Sequence, residues 1–166
     1  SDPTYGRMEG FGLLREQDLD FQGVYRIDPV SGELSLLASD FGQPNGLTFT
    51  LGEKQLFIND TDHGHVRVYD VADDGSISGG DVWAVPEGPG DGGCDGMKID
   101  SKGNLFTAGP GGIHVYAPDA TCLGVIGVPE VAANFTWGDD DLRTLYITAS
   151  TSLYRIRVEV PGRSVS

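Results

Sequence analysis

A strand-and-turn pattern that repeats in register constrains this chain more than any other feature. The segment "PNGLTFTLGEKQLFINDTDHGHVRVYDVADDGSISGGDVWAVP", from Pro44 to Pro86, alternates short β-like runs with turns. The order recurs, with shorter loops, in "CDGMKIDSKGNLFTAGPGGIHVYAPDATCLGVIGVP", from Cys94 to Pro129. It recurs again in "ANFTWGDDDLRTLYITASTSLYRIRVEVPG", which supplies three strands and stops. Gly46-Leu47 corresponds to Gly96-Met97 and then to Phe135-Thr136. Each unit continues with an acidic or Gly turn, an apolar strand ("QLFIND", "NLFTAG", "TLYITA") and a third strand ("HVRVYDV", "GIHVYAP", "SLYRIRV"). The runs are short, β-branched or aromatic, and alternate with period two, as half-buried strands do. The 25 glycines and 9 prolines fall between them as punctuation.

Four-stranded units of roughly 40–50 residues are the signature of β-propeller blades. A β-sandwich also accommodates many short strands, but the in-register repeat favours the propeller. The expected fold is therefore all-β, an incomplete propeller in one domain over residues 1–166. Residues 1–40 read as the end of one blade with a long loop, 41–90 and 91–130 as blades, and 131–166 as three strands of a further blade. That is about three and a half blades, where closure takes 4–8. Residues 8–23 read as a long loop with a short helical turn around Leu13 to Gln17, and "GVYRIDPVSGELSLLAS" as a hairpin.

The net charge of −14 and the scatter of the 11 basic residues oppose binding to nucleic acid or an anionic membrane. A cation or a neutral small molecule is easier to accommodate. Cys94 and Cys122 have no metal-type spacing and make no disulfide framework. No apolar run reaches the length of a membrane span, and "SDPTYGRMEG" has no signal-peptide character. A cytoplasmic location is the expectation, with any leader belonging to an upstream segment. Open blade edges and faces are expected to favour self-association.

The motifs "SDPTYG", "QGVYRIDP", "PNGLTFT…LFINDT", "CDGMKID", "GNLFTAGPGGIHVYAPD" and "WGDDDLRTLYITASTSLYRIRV" come in order over essentially the whole chain. Together they resemble the gluconolactonase/regucalcin family, and its bacterial gluconolactonases most of all. The resemblance implies a six-bladed propeller with one divalent metal at the mouth of its channel, and hydrolysis of sugar lactones. It implies that Asn45 is a metal ligand and that Asp95 is both ligand and general base. The family's early Glu and a further Asn have no counterpart, so the chain resembles the C-terminal portion of a member and carries about half of the metal shell.

The residues themselves agree with this assignment. Asn45 and Asp95 precede equivalent inner strands, which converge near a propeller axis. Amide and carboxylate oxygens suit Ca²⁺ best, with Mg²⁺, Zn²⁺ or Mn²⁺ also accommodated. Asn134 is the third equivalent, read as a structural residue or a substrate contact. Taken singly, Asn45-Gly46 and Asp95-Gly96 are also common turn pairs. Asp60 and Asp62 read as an acidic loop, able to bind a cation as a cluster but more commonly just solvated, His63 and His65 as surface loop residues able to share a metal, and His114 as a packed or edge residue of its strand. Ser150, Thr151 and Ser152 read as turn residues rather than a nucleophile, since no G-x-S-x-G occurs. The glycine-rich "GPGDGG" and "GPGG" precede no helix, which disfavours a phosphate loop. The expected function is metal-dependent lactone hydrolysis by the parent protein. The alternatives are a non-catalytic calcium-binding or interaction module, or an inactive fragment.

Overall fold

In the computed structural model, which describes residues 1–164, each repeat unit folds into its own antiparallel sheet. β1 (Gln22–Ile27) and β2 (Leu34–Phe41) form the first. The second comprises β3 (Pro44–Phe49), β4 (Gln55–Asp60), β5 (His65–Val71) and β6 (Ile77–Ala84). The third comprises β7 (Met97–Ile99), β8 (Leu105–Gly109), β9 (Gly112–Tyr116) and β10 (Cys122–Gly127). The last comprises β11 (Ala132–Gly138), β12 (Thr144–Ala149) and β13 (Leu153–Arg157). Every sheet is a meander in which sequence neighbours pair. The "SKGN" turn joining β7 to β8 needs Gly103, whose φ is +85°, a conformation that costs other residues a Cβ clash.

The sheets stack face to face, and the strand alternation explains how. In β4, Leu56 and Ile58 point into a core shared with Val24 and Phe41 of the first sheet. Phe57, between them, points the other way, into a core shared with Met97, Leu105 and Tyr116 of the third. In β8, Leu105 faces back toward Phe57, while Phe106 and Ala108 join Phe135, Trp137, Leu145 and Ile147 of the last sheet. A middle strand buried on both faces belongs to a sheet with a neighbour on either side. Each such Leu, Ile or Phe contributes roughly 1.5–3 kcal/mol of burial. The fold is thus all-β and propeller-like. β3 lies beside β7, and β7 beside β11, so the first strands of successive sheets line one cleft.

The segment before β1 differs from expectation. Its one helical turn is a 3₁₀ turn at Tyr5–Arg7, not a turn around Leu13 to Gln17. Phe11, Leu13 and Leu14 are exposed, so no packed face supports a helix there, and isolated short helices are marginal in water. The hairpin of β1 and β2 follows as expected.

Glu130 ties the turn between β12 and β13 to the loop between β10 and β11. Its carboxylate accepts hydrogen bonds from Ser152 Oγ at 2.6 Å, the Thr151 N–H at 2.7 Å and Tyr154 Oη at 2.9 Å. Thr151 and Ser152 are therefore hydrogen-bonding turn residues. The Ser152 hydroxyl, the Thr151 amide and the Tyr154 hydroxyl pull the Glu130 carboxyl down to about 2 from its ordinary 4.5. A depressed carboxylate adds stability that is present above the ordinary value and lost as pH falls from 4.5 toward about 2. Glu130→Gln is expected to flatten the dependence of stability on pH in that window, measured by urea unfolding at stepped pH.

Candidate functional site

Asn45 is the second residue of β3, and Asp95 ends the loop two residues before β7. Both line one cavity of about 690 Å³ at the ends of the inner strands, together with Thr61, Cys94, Ala133 and Ser150. Tyr5 and Phe11, with ring centroids 5.6 Å apart, add an aromatic wall from the N-terminal segment. That segment is held in place where the Thr4 N–H donates to Gln43 Oε1 at 2.8 Å and the Asp2 N–H to the Gly23 carbonyl at 2.9 Å.

The glycines after Asn45 and Asp95 do not make left-handed turns. None of Asn45, Gly46, Asp95 and Gly96 has a positive φ. They permit close approach instead. A Cβ on Gly46 would lie 2.1 Å from the Asp95 carbonyl oxygen, and one on Gly96 would lie 2.4 Å from Asn134 Oδ1. Asn-Gly and Asp-Gly here bring the inner strands together, which removes the turn explanation for Asn45 and Asp95.

Asn59 holds that approach. It is fully buried at the end of β4, its Oδ1 accepts the Gly46 N–H at 2.8 Å, and its Nδ2 donates to the Asp95 carbonyl at 2.7 Å. One side chain thus bridges the two strands that carry the site. Thr61 does the corresponding work for Asn45. Its hydroxyl donates its only hydrogen to the Cys94 carbonyl at 2.6 Å, so it can only accept from Asn45 Nδ2, at 3.2 Å. The amide of Asn45 is thereby oriented, with Oδ1 left as the free acceptor. Neither Asn59 nor Thr61 stands out singly in the sequence. The signal was "LFINDT", three polar side chains closing an apolar run that is buried on both faces.

Asp95 is half-buried and, among the described residues, lies within salt-bridge distance of no Lys, Arg or His. Burial raises its pKa above the ordinary 3.8, opposed in part by the Asn45 side chain and the Gly96 N–H. An anion taken out of water without a counter-charge is costly, and a cation relieves that cost. The donor set, a carboxylate and a free amide oxygen, fits a hard divalent ion. Cys94 is buried, and burial with the Asp60 and Asp95 charges pushes its thiol up to about 12, so it is no nucleophile.

Asn134 stands outside this cavity. It is exposed on β11, and its Oδ1 accepts from the Phe135 N–H at 2.9 Å and Lys98 Nζ at 3.4 Å. It lines an adjoining depression with Lys98, Tyr146 and Thr148, while Ala132 and Ala133 face the cavity. His114 is buried and bonded at Nε2 to the Pro110 carbonyl at 2.9 Å, a packed residue as expected. Asp60 overturns the reading of its loop as merely solvated. It is fully buried, and its carboxylate accepts the backbone N–H groups of Gly42 at 2.8 Å and Gln43 at 2.9 Å.

Stacked meander sheets whose inner-strand ends gather oxygen donors into one cavity describe a propeller-like protein with a pocket suited to a cation. The family described as SMP-30/Gluconolactonase/LRE-like region matches residues 6–151, and the chain belongs to it. A gluconolactonase of Zymomonas mobilis is 33% identical over 172 residues, which cover 98% of this chain and 47% of that protein. A pentonolactonase of Haloferax volcanii is 32% identical over 132 residues, 76% of this chain and 44% of that one. Among solved structures, a gluconolactonase of Xanthomonas campestris superposes with a TM-score of 0.85 at 28% identity, covering 96% of this chain and 52% of its own. The calcium-binding regucalcin of Agrobacterium tumefaciens shares the fold, with a TM-score of 0.73 at 20% identity. The chain spans about half the length of the relatives it matches.

Proposed function

We propose that this chain supplies part of the active site of a metal-dependent sugar lactonase. The observation that carries the reading is the half-buried Asp95, without a basic partner among the described residues, beside the free Oδ1 of Asn45 in one cavity. Activity belongs to the assembled propeller, whether its other blades come from the same polypeptide or a second copy. Asn45 and Asp95 would hold one divalent ion, Ca²⁺ foremost. When bound, such an ion polarises a carbonyl and lowers the pKa of water.

The chain's own residues have separate tasks. Asp95, whose proton affinity burial raises, takes a proton from the attacking water. The water oxygen adds to the lactone carbonyl carbon, the ring C–O bond breaks, and the departing alkoxide takes the proton held by Asp95 to give the hydroxy acid and restore the carboxylate. Thr61 keeps the Asn45 oxygen turned to the cavity. Tyr5 and Phe11 form an apolar wall that limits water on one side. Asn134, outside the cavity, takes no part in this step.

Acid release from gluconolactone, followed by pH-stat, tests the reading. Turnover that EDTA abolishes and Ca²⁺, Zn²⁺ or Mn²⁺ restores is the expected result. A folded, complete propeller that hydrolyses no lactone, or does so unchanged in EDTA, would overturn it.

A further inference from the structure

The turn between β4 and β5 gathers a second set of donors, of a different kind from the oxygen pair above. Asp60 and His65 are direct cross-strand partners, the last residue of β4 and the first of β5. Partners of this kind hold their Cβ atoms about 4.5–5.5 Å apart on the same side of a sheet. The four residues between them close tightly, with the Gly64 N–H donating to the Asp60 carbonyl at 2.9 Å and Gly64 at a φ of +66°. That closure brings His63 back over the pair. Its ring stacks on that of His65, with centroids 5.5 Å apart and planes 15° apart. Its Nδ1 lies 2.7 Å from Asp60 Oδ2. One ligand atom from each of Asp60, His63 and His65 falls within 4.8 Å of the other two.

We propose that Asp60, His63 and His65 form a transition-metal site, taking Zn²⁺ or a similar borderline ion through two imidazoles and one carboxylate. Three protein ligands with a fourth position open to water are a common zinc arrangement, and imidazole selects such ions over Ca²⁺ and Mg²⁺. Asp60 is already fixed as a ligand. The Gly42 N–H donates to Oδ2, and the Gln43 and Asp62 N–H groups donate to Oδ1, at 2.8, 2.9 and 3.1 Å. Outer hydrogen bonds of this sort orient a ligating carboxylate. The metal replaces the proton shared by His63 Nδ1 and Asp60 Oδ2, and the remaining bonds to the carboxylate persist. His63 is more than half exposed, so an ion has a path in. The loaded site would clamp the turn that carries Thr61, next to the cavity that holds Asn45.

The test is calorimetric titration of the chain with Zn²⁺, in a non-chelating buffer with excess Ca²⁺ to occupy the oxygen donors. One Zn²⁺ per chain is expected despite the Ca²⁺, with a Co²⁺ adduct showing the visible absorption of a low-coordinate nitrogen and oxygen site. His63→Ala and His65→Ala should each weaken binding by about 10–100-fold or more. Both positions lie at a partly exposed turn, so these variants remain testable where an Asp60 substitution could compromise folding. Absence of stoichiometric binding overturns the proposal. So does an affinity that the double variant, shown folded by circular dichroism, leaves within about twofold of the parent.

Discussion

Asp95→Ala is expected to lower lactone turnover by about 10²–10⁴-fold, the range that a positioned general base supplies, with further loss from weaker metal binding. It is also expected to leave the folded state as stable as before, or more so, at neutral pH. The two halves of this expectation come from the same geometry. The Asp95 carboxylate is half-buried without a basic partner among the described residues, and the bond that ties this residue to Asn59 runs through its backbone carbonyl, which alanine keeps. A pKa raised in the folded state is a stability loss that sets in as pH rises from the ordinary 3.8 through the folded value. Removing the carboxylate removes that loss. A pH-stat assay paired with urea unfolding reads both quantities. Lost activity with retained or improved stability marks a group kept for chemistry at the cost of the fold. Lost activity with lost stability would make Asp95 a structural residue.

The divalent ion enters the same balance. An ion held by Asn45 and Asp95, as proposed, would supply the counter-charge that no Lys, Arg or His among the described residues provides there. The −14 net charge of the chain draws cations toward it. The all-oxygen pair and the Asp60, His63 and His65 cluster differ in softness, so one chain can present sites that do not compete for the same ion.

The fold was legible in the sequence because it repeats. The second, third and last sheets each arise from a unit whose register could be matched at Gly46, Gly96 and Phe135, and each unit carries its own turns. The site was half legible. Asn45 and Asp95 stand out only through their equivalence between units, since the pairs Asn-Gly and Asp-Gly taken singly read as turns. Their glycines proved to serve close strand approach, which local sequence cannot report because the neighbouring atom lies roughly 40–50 residues away in the next unit. Asp60 was read as solvated because it stands in an acidic loop. Its burial depends on the Gly42 and Gln43 amides, which come from the start of the unit. Asn134 matched in register but lines the depression with Lys98 and Tyr146, while Ala132 and Ala133 line the cavity. The helical turn around Leu13 to Gln17 failed for want of any surface to pack on.

Asn59 carries the second large expectation, and here the effect falls on stability first. Among the described residues its side chain connects β3 to the loop before β7 at full burial, by satisfying the Gly46 N–H and the Asp95 carbonyl together. Its Nδ2 also lies 3.3 Å from Thr107 Oγ1. Asn59→Ala strands one buried donor and one buried acceptor, each costing about 1–3 kcal/mol, so roughly 2–6 kcal/mol is expected in urea unfolding. Asn59→Asp separates shape from hydrogen bonding. It keeps the acceptor for the Gly46 N–H but sets a carboxylate oxygen against the Asp95 carbonyl, so it should rescue little. Asn59 is not among the residues that line the cavity, and its bond to the Asp95 carbonyl makes it a positioning residue for Asp95. Its loss should therefore weaken metal binding and raise KM alongside the fall in stability, whereas a purely structural residue would lower only the folded fraction. A cost below about 1 kcal/mol, or unchanged metal affinity in the folded variant, would show that the two inner strands are held together without it.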